Sequence, residues 1–131
     1  MGSNPAILVI DDSEVDRKII EHVLTGEGYV VYHAHDPAVA LWILENRSVE
    51  LLITDEVMPG QNGHEFVAHL RSSPAFKKLP VVFVSGNAVS PKKVMKMFDA
   101  GGPIRFLPKP VSGERLLEEI HGALEDARDA A

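Results

Sequence analysis

Short apolar runs recur along the chain and alternate with longer segments of helical periodicity. Five runs are rich in Val, Ile, Leu or Phe and are short enough to be buried parallel strands; they are residues 6–10, 30–34, 51–54, 81–84 and 104–107. In the segments between them the apolar positions recur with the spacing of amphipathic helices. An alternation of this kind predicts a parallel sheet with helices on both faces.

Capping residues indicate where the helices begin. Ser13 followed by Asp16 is a capping-box-like opening, and Asp36 followed by Pro37 places a cap before a proline at the first helical position. Five helices are predicted to begin near residues 14, 37, 63, 91 and 113.

The apolar positions also predict which helix faces are buried. The first helix is expected to bury Val15, Ile19, Ile20, Val23 and Leu24. On the second helix, residues 40, 41 and 44 define an inward face, which places Trp42 on the outer side. Two interpretations of Trp42 stay open: it contacts a partner, or it folds over a neighbouring loop.

Length and composition favour a single domain. The chain has 131 residues, of which 45% are hydrophobic and 24% are charged, and it contains no cysteine, so disulfides and thiolate catalysis are excluded. The net charge of −6 disfavours direct nucleic-acid binding. No apolar run approaches the length of a membrane span, and a cytoplasmic location is expected. Residues 1–5 are predicted to be a disordered N-terminus or a cloning remnant, 6–125 the domain and 126–131 a tail.

Polar residues follow four of the predicted strands. Asp11 and Asp12 follow the first strand, and Asp55, Ser85 and Lys109 follow the third, fourth and fifth. The carboxyl ends of parallel strands meet at one edge, where ligand sites form in open α/β sheets. Three carboxylates there would repel one another unless a hard cation such as Mg²⁺ binds them. An Asp carboxylate is a competent nucleophile toward phosphorus, and Asp55 is the candidate.

Four motifs, taken together and in this order, carry a family resemblance. They are Ile-Asp-Asp at 10–12, Asp-Glu-Val-Met-Pro at 55–59 with Gly63 following, Val-Ser-Gly at 84–86, and Phe-Leu-Pro-Lys-Pro at 106–110. They resemble the receiver domain of two-component response regulators, over residues 6–124. The resemblance implies a flavodoxin-like, three-layer, doubly wound α/β fold with a five-stranded parallel sheet in the order 2-1-3-4-5.

The resemblance also implies a role for each motif residue. Asp55 would be the phosphoacceptor, and Mg²⁺ would be held by Asp11, Asp12, Asp55 and the backbone carbonyl of Val57. Ser85 and Lys109 would stabilise the phosphoryl group, and Ser85 and Phe106 would form the switch. The bond between Lys109 and Pro110 is expected to be cis, as is typical of receivers.

The expected partners follow from the same resemblance. The phosphoryl donor would be a phosphohistidine on a sensor histidine kinase or a histidine phosphotransfer protein. The output partner is not specified, and the surface of the fourth helix, fifth strand and fifth helix would contact it or form a dimer. Lys92, Lys93 and Lys96 on the fourth helix are either a solvated face or part of that surface.

Two departures from the family pattern stand beside these matches. The segment 101–105 is one residue longer than usual, so the loop entering the fifth strand should differ, and Glu56 replaces the more usual apolar residue. The chain is predicted not to be an enzyme. Two alternatives are a Mg²⁺-dependent phosphatase with an aspartyl nucleophile, and a docking module that ignores phosphate. Phosphatases of that class carry the nucleophile on the first strand with a second Asp two residues later, where Ser13 follows Asp12 here.

Overall fold

The strands form one parallel sheet at the centre of the protein. The computed structural model describes residues 4–11, 13–56, 62–86 and 101–129, and within them the sheet order is β2-β1-β3-β4-β5. The strands are β1 Ala6–Ile10, β2 Val30–Ala34, β3 Leu51–Asp55, β4 Val81–Ser85 and β5 Ile104–Pro108. The predicted fold class and strand order are therefore confirmed. Because β3 and β4 end on Asp55 and Ser85, two predicted site residues lie at the carboxyl edge of the sheet itself.

Helices cover both faces of the sheet. They are α1 Glu14–Gly26, α2 Pro37–Asn46, α3 Gly63–Arg71 and a C-terminal helix, Gly113–Asp129. The predicted caps are confirmed: Ser13 Oγ accepts from the Asp16 amide at 3.3 Å, and Asp36 Oδ1 accepts from the Val39 amide at 2.9 Å. The helix predicted at 91–100, with its three lysines, lies outside the described residues.

Two hydrophobic cores flank the sheet. On one face, α1 and the C-terminal helix pack on the strands through Ile20, Leu24, Leu116, Ile120 and Ala123. On the other face, α2 and α3 contribute Ala40, Ile43, Leu44, Phe66, Val67 and Leu70. All five residues of β1 and of β3 are buried, as expected of central parallel strands with both faces covered. No helix in the described ranges is long and apolar enough to cross a membrane.

The predicted buried face of α1 was too wide. Ile20 and Leu24 are buried, but Val15 is 69% exposed and Ile19 is 44% exposed. Successive helical residues are about 100° apart, so the five predicted positions span roughly half of the helix circumference. Only the side of the helix centred near Ile20 and Leu24 contacts the sheet. Val15 and Ile19, at the other edge of the predicted face, are exposed to solvent.

Trp42 lies on the outer side of α2, as predicted from the inward positions of that helix. Its side chain is 54% exposed, and the Arg47 guanidinium carbon lies 5.4 Å from the centroid of its ring. This separation is typical of a cation–π contact. The Trp42 ring is thus in contact with Arg47, the residue that caps its own helix.

The long segment before β5 is held against the segment before β4. The Gly102 amide donates to the Lys77 carbonyl at 3.0 Å, and a Cβ on Gly102 would lie 2.2 Å from the Lys78 carbonyl oxygen. Gly101 has a φ of 126°, which favours glycine. Arg71 is buried here and donates to the Phe76 carbonyl at 3.0 Å, and burial lowers its pKa to about 10.

Candidate functional site

Three predicted site residues meet at the carboxyl edge of the sheet. Lys109, which follows β5, places its Nζ 3.0 Å from Asp55 Oδ2 and 3.5 Å from Asp11 Oδ2. Asp11 follows β1 directly, and Asp55 ends β3, the neighbouring strand. Parallel pairing therefore brings together side chains that are far apart in the sequence.

Asp16 belongs to the same cluster, although the sequence analysis used it only as a helix-start residue. Its Oδ2 lies 2.9 Å from Lys109 Nζ. In a capping box the Asp16 carboxylate would accept from the Ser13 amide. Here the Ser13 amide donates instead to Asp11 Oδ1 at 2.8 Å. One signal was available: the first turn of a helix that follows a parallel strand lies at the carboxyl edge of the sheet, where the site forms.

The electrostatics of the cluster follow from burial and proximity. Asp11 is 1% exposed, and burial raises its pKa, against the lowering effect of the Ser13 amide and of Lys109. Burial lowers the pKa of Lys109, but hydrogen bonds to Asp16 and Asp55 and the charge of Asp11 outweigh burial, so the net shift is upward. Lys109 is therefore a firmly protonated cation among carboxylates.

The donor set fits a hard divalent cation. Asp11 Oδ2 is buried and accepts no hydrogen bond from a described residue, and the Asp55 carboxylate lies within reach of the same ammonium group. Carboxylate oxygens are the ligands that Mg²⁺ prefers. Two of the four predicted ligands, Asp12 and the Val57 carbonyl, lie outside the described residues. Among the residues that are described, no group of three or more His, Asp or Glu side chains has the arrangement of a metal site.

Gly63 allows α3 to begin directly against the backbone of Asp55. A Cβ on Gly63 would lie 2.1 Å from the Asp55 carbonyl oxygen, which is well inside contact distance. The Gly63 amide also donates to the Glu56 carbonyl at 2.8 Å. Glycine at position 63 is therefore required for steric reasons, because no side chain fits between α3 and the candidate phosphoacceptor Asp55.

Ser85 ends β4 beside the cluster and is hydrogen-bonded to Glu56. Its hydroxyl donates to the Glu56 carboxylate, while the Ser85 carbonyl accepts from the Lys109 amide at 2.8 Å. Glu56 is 2% exposed, and its Oε2 lies 3.5 Å from His64 Nε2 at the start of α3. Burial raises the pKa of Glu56, against the effects of His64 and Ser85. Neither Glu56 nor His64 was predicted from the sequence to have a role in the site.

Phe106 lies on β5 opposite Phe83 of β4. The two rings stack with centroids 5.5 Å apart. The His64 ring meets the Phe83 ring edge-on, with centroids 5.0 Å apart. Phe106 is partly buried. The peptide bond between Lys109 and Pro110 is cis.

Comparison with known proteins assigns the chain to a family. The model of the response regulator receiver domain matches residues 7–121. The two-component response regulator ORR13 of Oryza sativa subsp. japonica is 32% identical over 110 residues, which cover 83% of this chain and 89% of that protein.

Solved structures agree. The chemotaxis protein CheY4 of Vibrio cholerae superposes with a TM-score of 0.81 at 30% identity, covering 92% of this chain and 98% of that chain. The receiver domain of the sensor histidine kinase PA1611 from Pseudomonas aeruginosa PAO1, solved with a magnesium ion in its active site cleft, shares the fold with a TM-score of 0.79 at 21% identity, covering 93% and 98% of the two chains. With its 2-1-3-4-5 parallel sheet and with Asp11, Asp55 and Lys109 at the carboxyl edge, this chain belongs to the response regulator receiver domain family.

Proposed function

We propose that this receiver accepts a phosphoryl group on Asp55 from a phosphohistidine of a sensor histidine kinase or a histidine phosphotransfer protein. Receiver domains are signalling modules of two-component systems. One observation carries the proposal for this chain: the Asp55 carboxylate is held 3.0 Å from the Lys109 ammonium and beside the buried Asp11. An anionic group arriving at Asp55 would meet a cation already in position.

The proposed transfer is a direct displacement at phosphorus. An oxygen of the Asp55 carboxylate attacks the phosphorus atom, and a P–O bond forms as the P–N bond of the phosphohistidine breaks. The histidine nitrogen leaves with the electron pair of the broken bond. The product is an acyl phosphate on Asp55, and no water or redox partner is consumed.

Lys109 and Ser85 are proposed to stabilise the transferred group. The Lys109 ammonium has three N–H donors, so it can turn one toward a phosphoryl oxygen while keeping a contact with Asp11 or Asp16. The Ser85 hydroxyl, at the end of the adjacent strand, can donate to another phosphoryl oxygen. Both contacts strengthen as negative charge builds up on those oxygens.

Mg²⁺ is the proposed cofactor, with Asp11, Asp12, Asp55 and the Val57 carbonyl as its ligands. When bound, the ion would offset the repulsion between the carboxylates and the incoming phosphoryl oxygens. The buried Asp11 Oδ2, which accepts no hydrogen bond from a described residue, is the feature of this chain that supports the assignment.

The proposed output passes from Ser85 to Phe106. Movement of Ser85 toward a phosphoryl group would open space beside the Phe83–Phe106 stack, into which Phe106 can turn. The proposed readout surface is the fourth helix, fifth strand and fifth helix, which would bind the output partner or a second copy. Ser85→Ala should allow phosphorylation but reduce the chemical-shift changes at Phe106.

Labelling with acetyl phosphate and Mg²⁺ tests the phosphoacceptor. Intact-mass measurement should show one added phosphoryl group on the wild type and none on Asp55→Asn. Asp36→Asn is a matched control, because it changes another Asp near the sheet edge and Asn also caps helices well. Equal labelling of Asp55→Asn and wild type would refute the assignment. Steady phosphate release from phosphomonoesters would instead favour the phosphatase alternative.

A further inference from the structure

Glu56 is a buried acidic side chain that the proposed transfer does not use. It follows Asp55 directly and is 2% exposed. Burying a carboxylate is unfavourable unless partners satisfy it, so its retention beside the phosphoacceptor needs a physical reason. The contacts of Glu56 supply one.

Ser85 and His64 are the two partners of the Glu56 side chain among the described residues. The Ser85 hydroxyl donates to the carboxylate, and His64 Nε2 lies 3.5 Å from Oε2. His64 is itself fixed by its edge-on contact with Phe83 at 5.0 Å. The Glu56 carboxylate thus contacts His64 on the α3 side, with no hydrogen bond between Oε2 and Nε2, while it accepts the Ser85 hydroxyl.

The sheet register places these groups in two adjacent rows on one face. Thr54, Phe83 and Phe106 are paired across β3, β4 and β5. Glu56, which directly follows β3, and Ser85, which ends β4, lie two residues beyond Thr54 and Phe83, so they fall on the same face as that row. Glu56 therefore lies alongside Ser85, one row closer to the carboxyl edge of the sheet than Thr54, Phe83 and Phe106.

A serine hydroxyl has a single proton to donate. While Ser85 donates to Glu56, the hydroxyl cannot also donate to a phosphoryl oxygen on Asp55. We propose that Glu56 is a positioning residue that competes with the phosphoryl group for the Ser85 hydroxyl and so sets how tightly that group is held. This inference rests on the proposed phosphorylation of Asp55 and deepens it.

Beryllofluoride with Mg²⁺, a mimic of the phosphoryl group, provides the test. Its affinity is measured by fluorine NMR for Glu56→Gln and Glu56→Met. Both variants lack the charge and keep a similar size, but only Gln retains an oxygen that accepts from Ser85. Glu56→Met should bind the mimic about fivefold more tightly than Glu56→Gln, the size expected for one net hydrogen bond.

The same comparison is repeated with Ser85→Ala. Without the hydroxyl there is nothing to compete for, so Glu56→Met and Glu56→Gln should then bind the mimic equally. Their affinities for Mg²⁺ alone should match in both backgrounds. A role of Glu56 in packing alone would change the affinity whether or not Ser85 is present. Amide NMR spectra check folding, and Glu56→Leu replaces Glu56→Met if the latter does not fold.

The outcomes separate this inference from the proposed function. If the wild type binds beryllofluoride but Glu56→Met and Glu56→Gln have equal affinities with Ser85 present, the competition is wrong and phosphorylation of Asp55 stands. If the difference persists with Ser85→Ala, Glu56 acts without Ser85 and the inference is again overturned. If the wild type neither binds the mimic nor becomes labelled on Asp55, the proposed function fails and this inference fails with it.

Discussion

Lys109 contacts Asp16 as closely as it contacts Asp55. The Nζ–Oδ2 distances are 2.9 Å to Asp16 and 3.0 Å to Asp55. The ammonium group is thus shared between the candidate phosphoacceptor and the first turn of α1. Since Asp16 side-chain exposure is 27% and that of Lys109 is 21%, the pair is partly shielded from solvent and should be stronger than a surface ion pair.

Asp16→Asn should therefore destabilise the protein by about 1 kcal/mol and lower the pKa of Lys109, because one of its carboxylate partners is lost. Glu14→Gln is the matched control: Glu14 lies in the same helical turn and pairs with Lys18, but both side chains are about 70% exposed. It should change stability by less than about 0.5 kcal/mol. Urea unfolding and NMR titration of the lysine side chain measure the two effects. Equal losses for both variants would mean that the Lys109 contact adds no stability.

Gly63→Ala should destabilise the protein by about 3 kcal/mol and slow the labelling of Asp55, because the new Cβ would displace the Asp55 carbonyl. Gly26→Ala serves as the control, since nothing lies within 4 Å of a Cβ there. That change should be neutral or stabilising by up to about 1 kcal/mol. Thermal unfolding and acetyl phosphate labelling of both variants check the pair. Normal labelling of Gly63→Ala would contradict the steric explanation.

Arg105 and Gly122 should show coupled effects on stability. Arg105 bridges Glu119 at 3.1 Å and Asp126 at 2.9 Å, and a Cβ on Gly122 would lie 2.5 Å from the guanidinium carbon. Arg105→Ala should cost about 1 kcal/mol. Gly122→Ala should be near neutral, because about 1 kcal/mol of helix propensity is offset by displacement of the flexible arginine.

The double variant isolates the coupling. With Arg105→Ala in place there is nothing to displace, so Gly122→Ala should then stabilise the C-terminal helix by about 1 kcal/mol. Denaturant unfolding of the wild type, both single variants and the double variant gives the four free energies of the cycle. Strictly additive effects would show that the guanidinium does not occupy the space above Gly122.

Mg²⁺ should raise the free energy of unfolding, because a ligand that binds only the folded state stabilises it. At a concentration of about 100 times Kd the gain is about 2.7 kcal/mol. Asp11→Asn should reduce this gain, yet without Mg²⁺ it should be at least as stable as the wild type. The reason is that Asn still accepts the Ser13 amide while no charge is buried. Thermal unfolding with and without Mg²⁺, using Ca²⁺-free buffers, measures both effects; an unchanged gain in Asp11→Asn would exclude it as a ligand.

The alternation of apolar runs and helical segments determined the fold in outline. Parallel strands buried on both faces must be apolar throughout, so β1, β3 and β4 are visible as continuous runs. Ser13 and Asp36 could be recognised as caps because a helix start needs a local acceptor for its free amides. The motifs that contain Asp11, Asp55 and Lys109 were sufficient to predict the family and the meeting of these three residues at one edge of the sheet.

Tertiary packing decided the features that depend on pairs distant in sequence. Periodicity could not tell which margin of α1 faces the sheet, so Val15 and Ile19 were wrongly expected to be buried. Two sets of contacts form between side chains of different secondary-structure elements: Asp16 with Lys109, and Glu56 with Ser85 and His64. A sequence pattern records the preference of each segment for helix, strand or burial. The partner of a polar side chain is fixed only when the segments pack, because hydrogen bonds and ion pairs act over a few ångströms.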